Sequence, residues 1–148
     1  NKHHFLIGVF SHFRSVLTTE AEWEYAARGG QNSRGYIFAG SSDLNEVGWY
    51  SRNSKSKTHP VGEKKSNELG LYDMSGNVFE WCHDWYEKSF YKNAMQMNPA
   101  GPSRGARRVG RGGSWYHNAQ FCRVAYRDYS VPTSSYYSLG FRLSRTVI

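Results

Sequence analysis

Apolar positions in this chain come in short pieces rather than in long stripes. The first piece, Phe5, Leu6, Ile7, Val9, Phe10 and Phe13, suits either an amphipathic helix or a strand. His3, His4 and His12 lie alongside it. Adjacent histidines such as His3 and His4 do not converge on one ion and are read as a solvated tip.

A helix is predicted next. Thr19 followed by Glu22 forms a capping box, Trp23, Ala26 and Ala27 share one face, and Gly29 or Gly30 closes the other end. From Gln31 to Leu69 the chain is polar and punctuated by Gly, Ser and Asn. Its apolar pieces, Tyr36-Ile37-Phe38 and Val47-Gly48-Trp49-Tyr50, read as short strands between irregular loops. Lys55, Lys57, Lys64 and Lys65 are expected on a solvated face, and no internal repeat is present.

The stretch Gly70 to Tyr86 places two carboxylates, Asp73 and Glu80, on either side of a turn built on Ser75-Gly76-Asn77. Carboxylates with free turn carbonyls suit a hard cation such as calcium, although Asp and Asn in a turn also bond their own backbone. Trp81 and Trp85 are expected in the core. A loop rich in Pro, Gly and Arg follows, from Met95 to Val109.

Arg111-Gly112-Gly113-Ser114-Trp115 and Leu139-Gly140-Phe141-Arg142-Leu143 pair glycine with large apolar residues, and both are predicted to be buried strands. Between them, Tyr116 to Ser138 contains no Lys, Glu, Met or Trp. It is rich instead in tyrosine (Tyr116, Tyr126, Tyr129, Tyr136, Tyr137), mixed with serine, Asn118 and His117. Tyrosine gives a large amphipathic contact area at low rotamer cost, and serine and asparagine give adaptable hydrogen bonds. The same composition also suits twisted strands and loops, so composition alone leaves both readings open.

Composition narrows the picture in four respects. A length of 148 residues fits one domain, and 16% aromatic residues with fifteen glycines point to a loop-rich fold rather than a helical bundle. No apolar run reaches the length of a membrane span. The net charge of +7 raises nucleic acid as a partner, but the bases are scattered, the densest group being Arg104, Arg107, Arg108 and Arg111. With no recognisable nucleic-acid motif, that partner is disfavoured. Cys82 and Cys122 match no metal spacing and are read as buried free thiols.

Several of these pieces fit one family. The helix Thr19 to Gly30, Thr58-His59-Pro60-Val61-Gly62, the run Glu68 to Trp81, Arg111-Gly112-Gly113-Ser114-Trp115 and Gly140-Phe141-Arg142 resemble the formylglycine-generating enzyme (sulfatase-modifying factor) family, in the family's order. The likeness runs from about Thr19 to the end. Residues 1–16 form an atypical leading segment, expected to be truncated or altered, and 17–148 the family-like domain with a variable segment at 116–138. The resemblance implies an α+β, C-type-lectin-like fold with short strands, few helices and much ordered loop. It also implies that the two ends of the chain meet in one sheet, so that loss of the front would leave an unpaired edge near Phe141. Finally, it implies a structural calcium held by Asp73, Glu80 and the carbonyls of Gly76 and Val78.

Enzymes of this family oxidise a sulfatase cysteine with oxygen and copper(I), and two cysteines hold the metal. The corresponding positions here are His117 and Cys122, so one of the two soft thiolates that copper(I) favours is missing. A second branch is more similar, namely the variable proteins of diversity-generating retroelements, in which adenine-containing codons of a C-terminal segment are mutated. An AAC codon then becomes any NNC codon, which excludes Lys, Glu, Gln, Met and Trp, and from Tyr116 to Ser138 only Gln120 falls outside the allowed set.

By this resemblance the varied, ligand-contacting positions are Tyr116, His117, Asn118, Phe121, Val124, Tyr126, Asp128, Tyr129, Ser130, Ser134, Ser135, Tyr136, Tyr137 and Ser138. The framework among them is Ala119, Gln120, Cys122, Arg123, Ala125, Arg127 and Pro132. The expectation is a non-catalytic binding module for a protein or glycan ligand, at a location left open, with a cell surface or a phage particle fitting a diversified binder. The alternative is a formylglycine-generating or related oxidoreductase with an altered copper site at His117 and Cys122.

Overall fold

The computed structural model describes residues 13–92 and 97–147. Most of the opening apolar run, with His3, His4 and His12, lies outside these residues. Its last part belongs to a strand, β1 (Phe13–Leu17).

Helix α1 (Glu20–Ala27) starts where the capping box places it. The Thr19 hydroxyl accepts from the Glu22 amide at 3.2 Å, and the Glu22 carboxylate accepts from the Thr19 amide at 2.8 Å. At the far end Gly29 takes φ +92°, a left-handed conformation that costs a glycine little. The Asn67 side-chain amide donates to the freed carbonyls of Ala26 (2.7 Å) and Ala27 (3.3 Å). Trp23 and Ala27 are buried, with Ala26 packed beside them.

The remaining elements are α2 (Leu44–Val47), β2 (Phe79–Trp85), β3 (Arg108–Arg111), β4 (Arg127–Ser130), β5 (Leu139–Phe141) and β6 (Leu143–Val147). β1 and β6 form an antiparallel pair, so the two ends of the described chain meet in one sheet as expected. The other sheet has the order β4-β3-β2-β5, antiparallel except for the parallel β2·β5 pair.

Alternation along the strands gives the larger sheet two distinct faces. One face carries Glu80, Cys82, Val109, Arg111 and Arg127 against α1. There Trp23, Met74, Cys82, Val109 and Val124 make the apolar core. A second cluster, Phe38, Leu44, Val47, Tyr50 and Cys122, sits among the loops.

A polar network crosses the first face. The Arg111 guanidinium, fully buried, donates to Glu20 at 3.0 Å, to Glu24, and to the Val124 carbonyl at 2.6 Å. Arg127 holds the same Glu20 carboxylate at 2.6 and 2.7 Å. Trp23 Nε1 donates to Glu80 at 2.7 Å.

Five expectations are corrected here. Strand β3 ends at Arg111, because Gly112 and Gly113 both take positive φ and turn the chain out of the sheet. The 139–143 segment is split between two sheets and is not buried. Arg142 turns inward to Glu80, so alternation sends Phe141 (66% exposed) and Leu143 (55%) outward. Tyr36 to Phe38 makes only an isolated bridge to Ser41, and Val47 closes α2, which Asp43 caps by accepting from the Asn45 amide at 2.9 Å. Trp81 and Trp85 are half-buried on the face away from α1. Lys64 also departs from a simple solvated face, lying 4.1 Å over the Trp49 ring.

Removing the fully buried Arg111 would leave Glu20 to Arg127 alone, deprive the Val124 carbonyl of its donor and open a void at the centre of the network. Arg111→Ala is therefore expected to destabilise the fold by about 3–5 kcal/mol, measured by urea unfolding.

Candidate functional site

The Tyr-rich segment folds over the sheet face opposite α1, and it is fastened there largely through main-chain groups. The Trp115 amide donates to the Asn77 carbonyl (2.8 Å), and the Trp115 carbonyl accepts from Ser54 Oγ (2.9 Å). The His117 carbonyl accepts from the Ser51 amide at 3.1 Å. At the other end of the segment the Ser138 carbonyl accepts from the Phe79 amide (2.8 Å), and that of Tyr137 from Trp115 Nε1 (3.3 Å). Gly113, at φ +75°, allows this path, since a Cβ there would lie 2.6 Å from Cys122 Sγ.

The result is a cavity of about 280 Å³ whose floor is the sheet. Phe79, Trp81, Gly110 and Leu139 contribute to it from β2, β3 and β5, and Asp128, Tyr129 and Ser130 from β4. Tyr116, His117, Tyr136, Tyr137 and Ser138 complete the lining. Tyr116, Tyr136 and Tyr137 are 63%, 53% and 74% exposed, so three large rings stand at the surface around one opening.

Of the fourteen expected contact positions, eight line this cavity: Tyr116, His117, Asp128, Tyr129, Ser130, Tyr136, Tyr137 and Ser138. The other six lie elsewhere. Val124 is a core residue at 2% exposure, packed with Trp23 and Val109, and is corrected from contact surface to framework. Phe121 stacks edge-on between His117 and Tyr126. Asn118 accepts from Ser51 Oγ, Ser134 pairs with the Tyr136 hydroxyl, and Ser135 is exposed. Tyr126, the sixth, meets the Phe121 ring edge-on, while Tyr129, one of the eight, borders the cavity but turns its ring to the opposite face, against Tyr86. The sequence reading missed Phe79, Trp81, Gly110 and Leu139. Period-two alternation through Phe79, Glu80 and Trp81 carries the signal for the first two.

A second cavity, of about 580 Å³, lies beside the turn at Ser75-Gly76-Asn77. Asp73, Val78 and Glu80 line it and Gly76 does not. Asp73 Oδ2 accepts from the Gly62 amide at 2.8 Å, whereas Oδ1 is buried without a partner. Glu80 is heavily committed, with both oxygens accepting from Arg142 and one also from Trp23. The orphaned Asp73 oxygen fits a cation, which would have to share Glu80 with Arg142.

Comparison with known proteins supplies the family. The model of the sulfatase-modifying factor enzyme 1-like domain matches residues 9–147. The chain belongs to that family. The formylglycine-generating enzyme of Streptomyces coelicolor is 41% identical over 143 residues, 85% of this chain and 45% of that protein. Chaperone protein LppX of Paenibacillus barcinonensis is 37% identical over 127 residues, 74% of this chain and 41% of that protein. The chain thus spans less than half the length of these curated relatives. Among solved structures, Treponema denticola variable protein 1 superimposes with a TM-score of 0.81 at 42% identity, over 92% of this chain and 48% of that one. PvdO from Pseudomonas aeruginosa superimposes at 0.74 with 25% identity, over 91% and 53%. The mixed α+β architecture is the C-type-lectin-like fold of this family, and the expected likeness to its variable proteins holds.

At the sulfatase-modifying family's copper positions the side chains do not form a soft-metal pair. His117 Nδ1 lies 2.6 Å from Ser114 Oγ, and burial lowers its imidazole below the ordinary 6.5, which keeps it neutral at pH 7. Cys122 Sγ is fully buried, lies 3.9 Å from the Asn118 carbonyl and close to the Ser114 backbone, and burial pushes its thiol up to about 12. Cys82 is also free, buried and raised by desolvation. Among the described residues no three His, Cys, Asp or Glu side chains gather as a metal cluster. A protonated, enclosed thiol is a poor nucleophile and a poor copper(I) ligand. Ellman's reagent at pH 8 is therefore expected to label neither cysteine in the folded protein and both after unfolding in guanidinium. Rapid labelling of Cys122 in the folded state would restore the altered copper site.

Proposed function

We propose that this chain is a non-catalytic binding module, a variable protein of the retroelement-diversified kind whose Tyr/Ser-rich face takes a protein or glycan ligand. The observation that carries this reading is the convergence of eight expected contact positions on one cavity, with Tyr116, Tyr136 and Tyr137 exposed around it. Large rings left in water at a concave site are the usual anchors of a recognition surface. The codon pattern of Tyr116 to Ser138 and the likeness to Treponema denticola variable protein 1 support the same reading.

Two results test it. The DNA near the gene is expected to contain a near-copy of the segment encoding Arg111 to Arg142, differing almost only where the copy carries adenine. Absence of both a copy and a neighbouring reverse transcriptase gene would remove the diversified reading. Separately, Tyr136→Ala and Tyr137→Ala are expected to cost a selected ligand about 2 kcal/mol or more in affinity. Tm should shift little, because neither ring is buried. A large loss of stability in both variants would make the rings structural.

We further propose a structural calcium held by the Asp73 and Glu80 carboxylates with the Gly76 and Val78 carbonyls. The unpartnered Asp73 Oδ1 supports it. A ligand that binds only the folded state raises its stability, so millimolar calcium is expected to raise Tm in the native chain and not in Asp73→Ala. An unchanged Tm in the native chain would leave Asp73 with its Gly62 contact alone.

A further inference from the structure

The cavity on the Tyr-rich face has a chemical bias that its tyrosine content alone does not give. The chain as a whole carries +7, yet no Lys or Arg lines this cavity, and its one ionisable group of fixed sign is the carboxylate of Asp128. Strand register places that carboxylate. Asp128 pairs with Gly110 and Gly110 with Trp81, so the three residues form one row across β4, β3 and β2. Neighbouring strands lie about 4.8 Å apart, which puts the Asp128 and Trp81 backbones roughly 10 Å apart across a residue with no side chain. A Cβ built on Gly110 would meet only Phe79 Cδ1, at 3.9 Å, so the space above the glycine is open.

The row is therefore a slot with a carboxylate on one wall and an indole on the other. Tyr116 and Tyr137 stand at its rim, 63% and 74% exposed. Arg108, two residues along β3, does not fill the slot. Its guanidinium sits 3.7 Å over the Trp85 ring and donates to the His83 carbonyl. His117, the other titratable group in the lining besides the tyrosines, is kept neutral by burial and adds no competing charge at pH 7.

We propose that the slot between Trp81 and Asp128 takes an organic cation, an alkylammonium or guanidinium group carried by the ligand. The indole face attracts the cation through its quadrupole, the carboxylate forms a charge-assisted hydrogen bond, and Gly110 supplies the room. This inference rests on the face being a binding surface, and it adds the chemistry of what enters first.

The test uses the whole chain and four small probes: n-pentylammonium, n-butylguanidinium, n-hexanol and hexanoate. Binding is followed by NMR shifts of the tryptophan indole N–H signals. Either cation is expected to bind about tenfold more tightly than the alcohol, with hexanoate weakest. The preferred cation distinguishes a lysine-like from an arginine-like group. Asp128→Asn should lose about tenfold for the cations and little for the alcohol. Its fold should be retained, since the Asp128 Oδ1 contact with the Tyr129 amide at 2.9 Å needs only an oxygen. Gly110→Val should abolish binding of all probes while leaving Tm close to native.

Equal affinity for cation and alcohol, an unchanged Asp128→Asn, or no cation binding up to the probes' solubility limits would each overturn the proposal. Alcohol or hexanoate binding at least as tight as that of the cations, and lost in Gly110→Val, would overturn the cation preference alone and leave the binding face standing.

Discussion

The fold depends on one guanidinium. Arg111 reaches from the end of β3 to Glu20 and Glu24 on α1 and to the carbonyl of Val124, and Arg127 shares Glu20 from the neighbouring strand. A helix, two strands and the Tyr-rich segment at Val124 are thereby joined around two groups, Arg111 and Glu20, that have no water to fall back on. Apolar contacts around Trp23, Met74 and Val109 supply most of the burial, but they are non-directional and do not fix which way α1 lies on the sheet. The fork geometry of an arginine does: the two terminal nitrogens of Arg111 are directed at Glu20, Glu24 and the Val124 carbonyl.

That arrangement explains the division of labour between the two faces of the sheet. Charged and core residues share the side toward α1, where Glu80, Arg111 and Arg127 stand in a row set by the register. The next row, Trp81, Gly110 and Asp128, faces the other way and makes the cavity floor. Adjacent residues on the same strands thus do opposite jobs, because successive side chains alternate by direction.

Much of this was legible in the sequence. The capping box at Thr19 located α1, since its signal is local and needs nothing beyond a few neighbouring residues. The compositional break after Tyr116 marked the surface segment. The two ends of the described chain meet as the family resemblance implied. What could not be read depended on partners far away in sequence. Leu139 to Leu143 reads as one apolar strand, but the pull of Glu80 on Arg142 divides it between two sheets. Val124 resembles its variable neighbours in type, and only its packing against Trp23 shows it to be core. Gly110 gives no local sign that it lies between a tryptophan and an aspartate.

The Tyr-rich segment is anchored largely by the carbonyls of Trp115, His117, Tyr137 and Ser138, with the Trp115 indole as the main side-chain fastening among them. Every amino acid carries the same carbonyl. Folding therefore reads the path of this segment while remaining almost blind to its spelling, and the surface chemistry can be rewritten without renegotiating the scaffold. For a lineage that samples sequences here at random, the fraction of viable variants would be set by a few packed positions such as Val124, and the size of the usable repertoire by all the others.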